Sequence, residues 1–250
     1  MGVTETKRTM SASENEKYLQ KQYTEIARLA GGLAHEIKNP LSTIMLNIEL
    51  LAEDIEGIDT PQARRAQRKI GVVHRECERL ETLLNEFLSF AKAHSIELKP
   101  CDVNREIRDA AELFQSKAAE KNIEIIEYLS SNLPTVMLDR NSFHRALTNL
   151  IINAMQAMPD GGQLVIRSRN AGGSEVAVDL IDTGTGMDEE TRLHLFDAFF
   201  STKKGGSGLG LATVGKIIQA HKGTITVQSE LNRGTQFTVM LPSLPRLAEK

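Results

Sequence analysis

Between Leu19 and Ile55 the apolar residues keep helical spacing for so long that the chain must begin with an extended helix and not a compact fold. Leu19, Tyr23, Ile26, Ala30, Leu33, Ile37, Leu41, Ile44, Ile48, Leu51 and Ile55 follow one another at intervals of three or four, ten steps over 36 residues, a period of 3.6. Gly57 ends this helix, and Thr60 before Pro61 supplies the N-cap and first-turn pair of a second one. The second helix carries Ala66, Ile70, Val73, Cys77, Leu80, Leu84, Phe87 and Ala91 in alternating steps of four and three, a heptad seam. Two antiparallel helices with such narrow seams cannot bury them as a pair. The hairpin is therefore expected to dimerise into a four-helix bundle.

His35 lies off the first seam. At 100° per residue it points about 200° away from Leu33 and about 160° away from Ile37, and Asn39 and Lys38 share its outward patch, with Glu36 on the shoulder. A lone exposed histidine is ordinarily a surface residue. This one is bracketed by Gly31 and Gly32 on one side and Pro40 on the other. A proline within a helix costs about 3 kcal/mol and a glycine about 1 kcal/mol, so the segment is built to bend and present an imidazole. His74 and His94, without such a setting, read as solvated.

The balance of 33 acidic against 30 basic residues, net −3, gives no field for nucleic acid or an anionic membrane. Cys77 and Cys101 have no metal-like spacing and read as reduced thiols, and no run of 18 apolar residues offers a membrane span. The chain reads as cytoplasmic, without direct membrane contact. Residues 1–17 are polar and expected to be disordered. The helical hairpin is assigned to residues 18–95 and a second domain to 96–245, because the pattern changes around Lys99 and Pro100.

In that second domain the pattern predicts a helix from Val103 to Glu120, strands at Ile123–Leu129 and Val136–Leu138, and a helix from Ser142 to Met158. Two strands, Leu164–Ser168 and Val176–Ile181, follow around a turn at Asn170–Gly173. A loop from Asp182 to Gly210 with one short helix, a helix at Leu209–Ala220 and strands at Thr224–Ser229 and Thr235–Leu241 complete it. The expected product is an α/β sandwich, a mixed sheet with helices on one face.

Three stretches of this domain carry chemistry. Asn149 and Asn153 stand one helical turn apart, either satisfying buried backbone or offering a neutral amide oxygen to Mg²⁺ beside nucleotide phosphates. Asp182-Thr-Gly-Thr-Gly186 ends an apolar strand, where a carboxylate can accept from an exocyclic amine and Gly184 and Gly186 allow close approach to a flat ring, although a plain turn has the same spelling. In GGSGLGLATV, Gly206, Gly208, Leu209 and Gly210 open a helix whose backbone N–H groups suit phosphate. The preceding LFDAFFSTK adds Phe199 and Phe200, expected to clamp a mobile lid, beside the Thr202 hydroxyl and Lys203. No P-loop is present, and the glycines do not follow a strand as a dinucleotide-binding turn requires.

HEIKNPLS, NLIINA, DTGTGM, LFDAFFSTK and GGSGLGL, in this order, resemble the H, N, G1, F and G2 boxes of the sensor histidine kinases of two-component systems, over about residues 25–241. The wording of FFSTK and HEIKNPL is similar to the nitrogen-regulator-like branch. The resemblance implies a dimerisation and phosphoacceptor hairpin followed by a Bergerat-type ATP-binding domain. It implies His35 as phosphoacceptor, Glu36 as the base that polarises it, Asn153 as Mg²⁺ ligand supported by Asn149, and Asp182 as adenine reader. It further implies ATP and Mg²⁺ as cofactors, a homodimer, a response-regulator receiver domain as partner, and a sensor region or separate sensor protein. Asn39 is implied to orient water against the regulator's phosphoaspartate, a phosphatase role, and Leu46 either docks the regulator or packs at the bundle's flank. One departure stands out: where many members carry a basic residue three positions after the metal-binding Asn, this chain has Gln156, and Lys203 or Lys204 is expected to compensate. The competing classes are clamp and chaperone ATPases without a phosphoacceptor, and a non-catalytic scaffold or dedicated phosphatase.

Overall fold

A computed structural model describes residues 36–92, 96–172, 174–203 and 206–244. His35, Gly31, Gly32, the leader, His94, Lys204 and Gly205 lie outside the described residues. The chain divides into two compact units, Met1–His94 and Ser95–Lys250.

In the first unit the described part of helix α1 covers residues 36–54, a turn containing Gly57 follows, and α2 is Pro61–Lys92. Thr60 caps α2, its Oγ1 accepting from the N–H of Ala63 at 3.1 Å. The predicted seams divide into two stripes. Leu41 and Ile48 of α1 pack with Cys77 of α2, flanked by Met45 and Ile70, and form the hairpin's own core. Ile37, Ile44 and Leu51, each seven apart, face solvent in the single chain, as do Val73 and Leu80 of α2. His74 departs from the reading as a solvated residue: its side chain is two-thirds buried, between Glu49 (3.7 Å) and Glu78 (3.6 Å).

The second unit has β1 Lys99–Cys101, α3 Val103–Glu112, α4 Gln115–Glu120, β2 Ile123–Leu129, β3 Val136–Leu138 and α5 Arg140–Ala157. Then come β4 Gly162–Gly172, β5 Glu175–Asp182, α6 Glu189–His194, α7 Gly210–Ala220, β6 Thr224–Ser229 and β7 Thr235–Pro242. Its five-stranded sheet has the order β2-β4-β5-β7-β6, with β2 and β4 parallel and the other pairs antiparallel, the expected mixed sheet. Alternation along β4 and β7 sends Leu164, Ile166, Phe237, Val239 and Leu241 into a core shared with Ile107 of α3, Phe143, Leu147, Leu150 and Ile151 of α5, and Val214, Ile217 and Ile218 of α7. Asp102, Asp139 and Asp188 cap α3, α5 and α6 through side-chain oxygens.

Pro100, where the pattern changes, lies within a strand that the pattern does not predict, β1, which pairs antiparallel with β3. Two expectations are corrected. The helix read over Val103–Glu120 is two helices, broken by a tight turn in which the N–H of Phe114 donates to the carbonyl of Ala111 (3.0 Å) and the Phe114 side chain is buried. The turn read at Asn170–Gly173 is largely strand, because β4 runs on to Gly172 past an irregularity. No helix among the described residues is long and apolar enough to cross a membrane.

On the sheet face away from the helices, Asp179 is completely buried beneath Arg167 (2.9 Å), Arg169 (3.3 Å) and the hydroxyl of Thr238 (2.7 Å). Burial pushes its carboxyl up, but those donors outweigh it and hold it below the ordinary 3.8. Because the folded value is depressed, this stabilisation is present above pH 3.8 and fades as pH falls through the lower folded value. Both arginines are half exposed and can rehydrate, so Asp179→Ala is expected to cost about 2 kcal/mol, below the range for a fully buried pair. Thermal melts should show that deficit at pH 7 and a narrowing gap from wild type below pH 3.8.

Candidate active site

Asp182 is the last residue of β5 and only 4% exposed. Its Oδ1 accepts from the N–H of Gly184 (2.9 Å) and from that of Thr235 (3.2 Å), its register partner at the start of β7. Burial raises its carboxyl above the ordinary value, and the two N–H groups and the charge of Lys203 only partly oppose this. The contrast with Asp179, three residues earlier on the same strand, is one of supply. Two guanidiniums and a hydroxyl satisfy Asp179, whereas Asp182 keeps capacity for a further donor.

The DTGTG turn is pressed against the end of α5: the N–H of Thr185 donates to the carbonyl of Ala157 (3.0 Å), and a Cβ on Gly184 would stand 2.6 Å from that oxygen. Gly186, at φ +64°, lies so close to the carbonyl of Glu230 that any Cβ would overlap it. These glycines are thus required by the protein's own backbone, which amends the view that they chiefly make room for a ring. A Cβ on Gly206 would press on the Ser201 hydroxyl (2.5 Å), and Gly208 abuts the backbone of Phe199 and Phe200. Among these glycines, a Cβ on Gly210 meets nothing within 4 Å.

Asn149 and Asn153 project from α5 toward different partners. The Asn149 amide donates to the carbonyl of Gly210 (3.2 Å), tying α5 to the first residue of α7. Asn153 Oδ1 accepts from the Lys203 ammonium (3.1 Å), which also donates to Gln156 Oε1 (2.6 Å). Lys203 as a residue is exposed, but its ammonium is drawn into the site, where desolvation lowers its pKa against the attraction of Asp182. Thr202 is exposed. The start of α7 has no side-chain cap: Leu209 occupies that position, buried, and its own N–H donates to Ser207 Oγ (3.0 Å). The N–H of Phe199 donates to the carbonyl of Gly208 (3.1 Å), joining the aromatic stretch to the glycine-rich one, while Phe199 is 68% exposed and Phe200 lies against His194.

In the other unit, Glu36 and Asn39 are exposed on α1, as expected of the patch around His35, and so are Ser42, Leu46 (56%), Glu49 and Glu53. Sequence reasoning missed Thr235 and treated Gln156 only as a departure. Thr235, itself buried, is identified as a participant by strand register alone, and Gln156 by its place one turn from Asn153, which makes it the neighbour of any cation there.

Residues 138–245 match the family described as histidine kinase-, DNA gyrase B-, and HSP90-like ATPase, and residues 25–96 match the His Kinase A (phospho-acceptor) domain. The second unit is thus an ATP-binding domain of that class. Sporulation kinase E of Bacillus subtilis is 33% identical over 92% of this chain and 30% of its own length. The catalytic domain of the histidine kinase ThkA is 31% identical, with TM-score 0.55, over 59% of this chain and 97% of that domain, and ThkA in complex with the response regulator TrrA is 27% identical, with TM-score 0.64, over 99% and 69%. Full-length ShkA in complex with AMPPNP is 29% identical, with TM-score 0.71, over 86% and 45%. The chain belongs to the sensor histidine kinases, the protein-histidine kinases of two-component signalling. It spans less than half the length of three curated relatives it matches, 30%, 38% and 46% of them.

Gly186 and Gly210 separate packing from access. Gly186→Ala is expected to cost several kcal/mol, about 3, through backbone overlap and a positive φ. Gly210→Ala, in an open helical position, should hold or raise stability by about 0.5 kcal/mol. Denaturant melts of the two variants check both values.

Proposed function

We propose that this chain uses ATP to phosphorylate its own His35 and passes the phosphoryl group to an aspartate of a response-regulator receiver domain. The observation that carries this is the convergence of three separate motifs. Asn149 holds the first carbonyl of α7, Asn153 holds Lys203, and Lys203 is felt by Asp182, which supports reading Asp182, the Asn153–Lys203 pair and the start of α7 as one site. Asp182, with an underused carboxylate, accepts from the adenine amine. The N-terminus of α7 and Gly210 receive phosphate oxygens. Gly184, Gly186, Gly206 and Gly208 shape the surrounding turns, with Thr202 at the loop's rim.

Mg²⁺ fits the same group, since the Asn153 amide oxygen is a hard donor already accepting from a cationic group; when bound, it supplies charge neutralisation at the phosphates. Asn153 would hold it and Asn149 would support the helix end beside it. At His35, Glu36 accepts the proton of one ring nitrogen and leaves the other free as nucleophile. That nitrogen forms the bond to the γ-phosphorus as the bond to the β–γ bridging oxygen breaks, releasing ADP.

The exposed heptad stripe Ile37, Ile44, Leu51, Val73 and Leu80 supports a homodimer closed by a second hairpin. The complex of ThkA with TrrA supports a regulator partner, and use of ATP supports a cytoplasmic setting. A sensor region or separate sensor protein would supply the stimulus. Asn39, exposed on the same face as the Leu46 docking candidate, is assigned to orient water in dephosphorylating the regulator.

Incubation with γ-labelled ATP should place acid-labile, alkali-stable label on the protein, and His35→Gln should abolish it. Release of free phosphate without protein label would identify a clamp-type ATPase instead. For the phosphatase role, Asn39→Ala is expected to slow dephosphorylation of the cognate receiver at least about tenfold while leaving His35 labelling intact; an unchanged rate would remove that role.

A further inference from the structure

Gln156 is a polar residue of this site to which neither the motifs nor the proposed chemistry gives a task. It lies one turn beyond Asn153 on α5, and its Oε1 receives the Lys203 ammonium at 2.6 Å, closer than the 3.1 Å to Asn153. An ammonium has three donors, and two of them are directed by these two amides. Lys203 comes from the stretch that is joined to the glycine-rich segment by the Phe199–Gly208 hydrogen bond, and Gly206 N–H donates back to the Lys203 carbonyl (3.2 Å). The positive charge therefore arrives with a loop. A basic side chain at position 156 would instead have fixed that charge permanently on the helix.

We propose that Gln156 is a positioning residue: its amide oxygen docks Lys203 beside Asn153, so that the ammonium is held where it neutralises the nucleotide's phosphates. This rests on the ATP reading of the site. It follows that Gln156 acts on polyphosphate recognition through Lys203 and has no part in binding the nucleoside. It also follows that removing either the lysine or its dock empties the same position. A neutral amide suits this task better than a carboxylate, because it holds the ammonium without cancelling the charge offered to phosphate.

The test measures dissociation constants of Mg·ATP and of adenosine for the full chain by calorimetry, without reference to phosphorylation. Gln156→Ala and Lys203→Ala are each expected to weaken ATP about tenfold and leave adenosine within twofold. The Gln156→Ala/Lys203→Ala double variant should be no weaker than Lys203→Ala alone. Gln156→Lys combined with Lys203→Ala, which returns the charge to α5, should recover most of the loss. Equal weakening of ATP and adenosine by Gln156→Ala, or losses that multiply in the double variant, would overturn the positioning role. If Lys203→Ala weakens ATP and Gln156→Ala does not, the lysine stands and its dock is refuted. Failure of the wild-type chain to prefer ATP over adenosine would refute the ATP reading itself, a distinguishable result.

Discussion

The buried carboxylate of Asp182 is the point on which the second unit's chemistry hangs. Its Oδ1 gathers the N–H of Gly184 and that of Thr235, closing the DTGTG turn onto the end of the sheet and drawing β7 alongside. The turn in turn abuts α5 through Ala157, and α5 holds α7 through Asn149. Burial leaves the charge only partly compensated, so folding sets up a group that gains from one more donor. Asp179 shows the opposite outcome on the same strand, where two arginines and a threonine complete the shell and the residue becomes structural.

The hairpin illustrates a different constraint. Its helices spend one apolar stripe, Leu41, Ile48 and Cys77, on each other and leave a second, heptad-spaced stripe exposed. Among the described residues nothing covers the second stripe, and its heptad spacing is the pattern expected of a hairpin that dimerises. The polar stripe of Glu36, Asn39 and Ser42 lies on solvent-facing positions of α1 and stays available for chemistry.

Much of this was legible in the sequence because periodicity reports on burial. The seams of α1 and α2, the strands on either side of α5 and the side on which the helices pack all follow from spacing. What escaped depends on contacts between distant segments. β1 exists because Lys99–Cys101 finds β3, a distant partner that the local pattern around Pro100 does not name. The break at Phe114 preserves a continuous helical pattern on both sides. Thr235 meets Asp182 only through register, and Gln156 gains its role from a lysine 47 residues away. His74 read as solvated because its two glutamates, one of them on the other helix, are neighbours in space.

Whether Asp182 reads an amine decides the chemistry of the second unit. Binding of ATP and of inosine triphosphate, in which a carbonyl oxygen replaces that amine, isolates this contact without altering the protein. The expected result is an affinity for the inosine nucleotide weaker by about tenfold to a hundredfold, since a buried carboxylate would then face an acceptor. Equal affinities would contradict it.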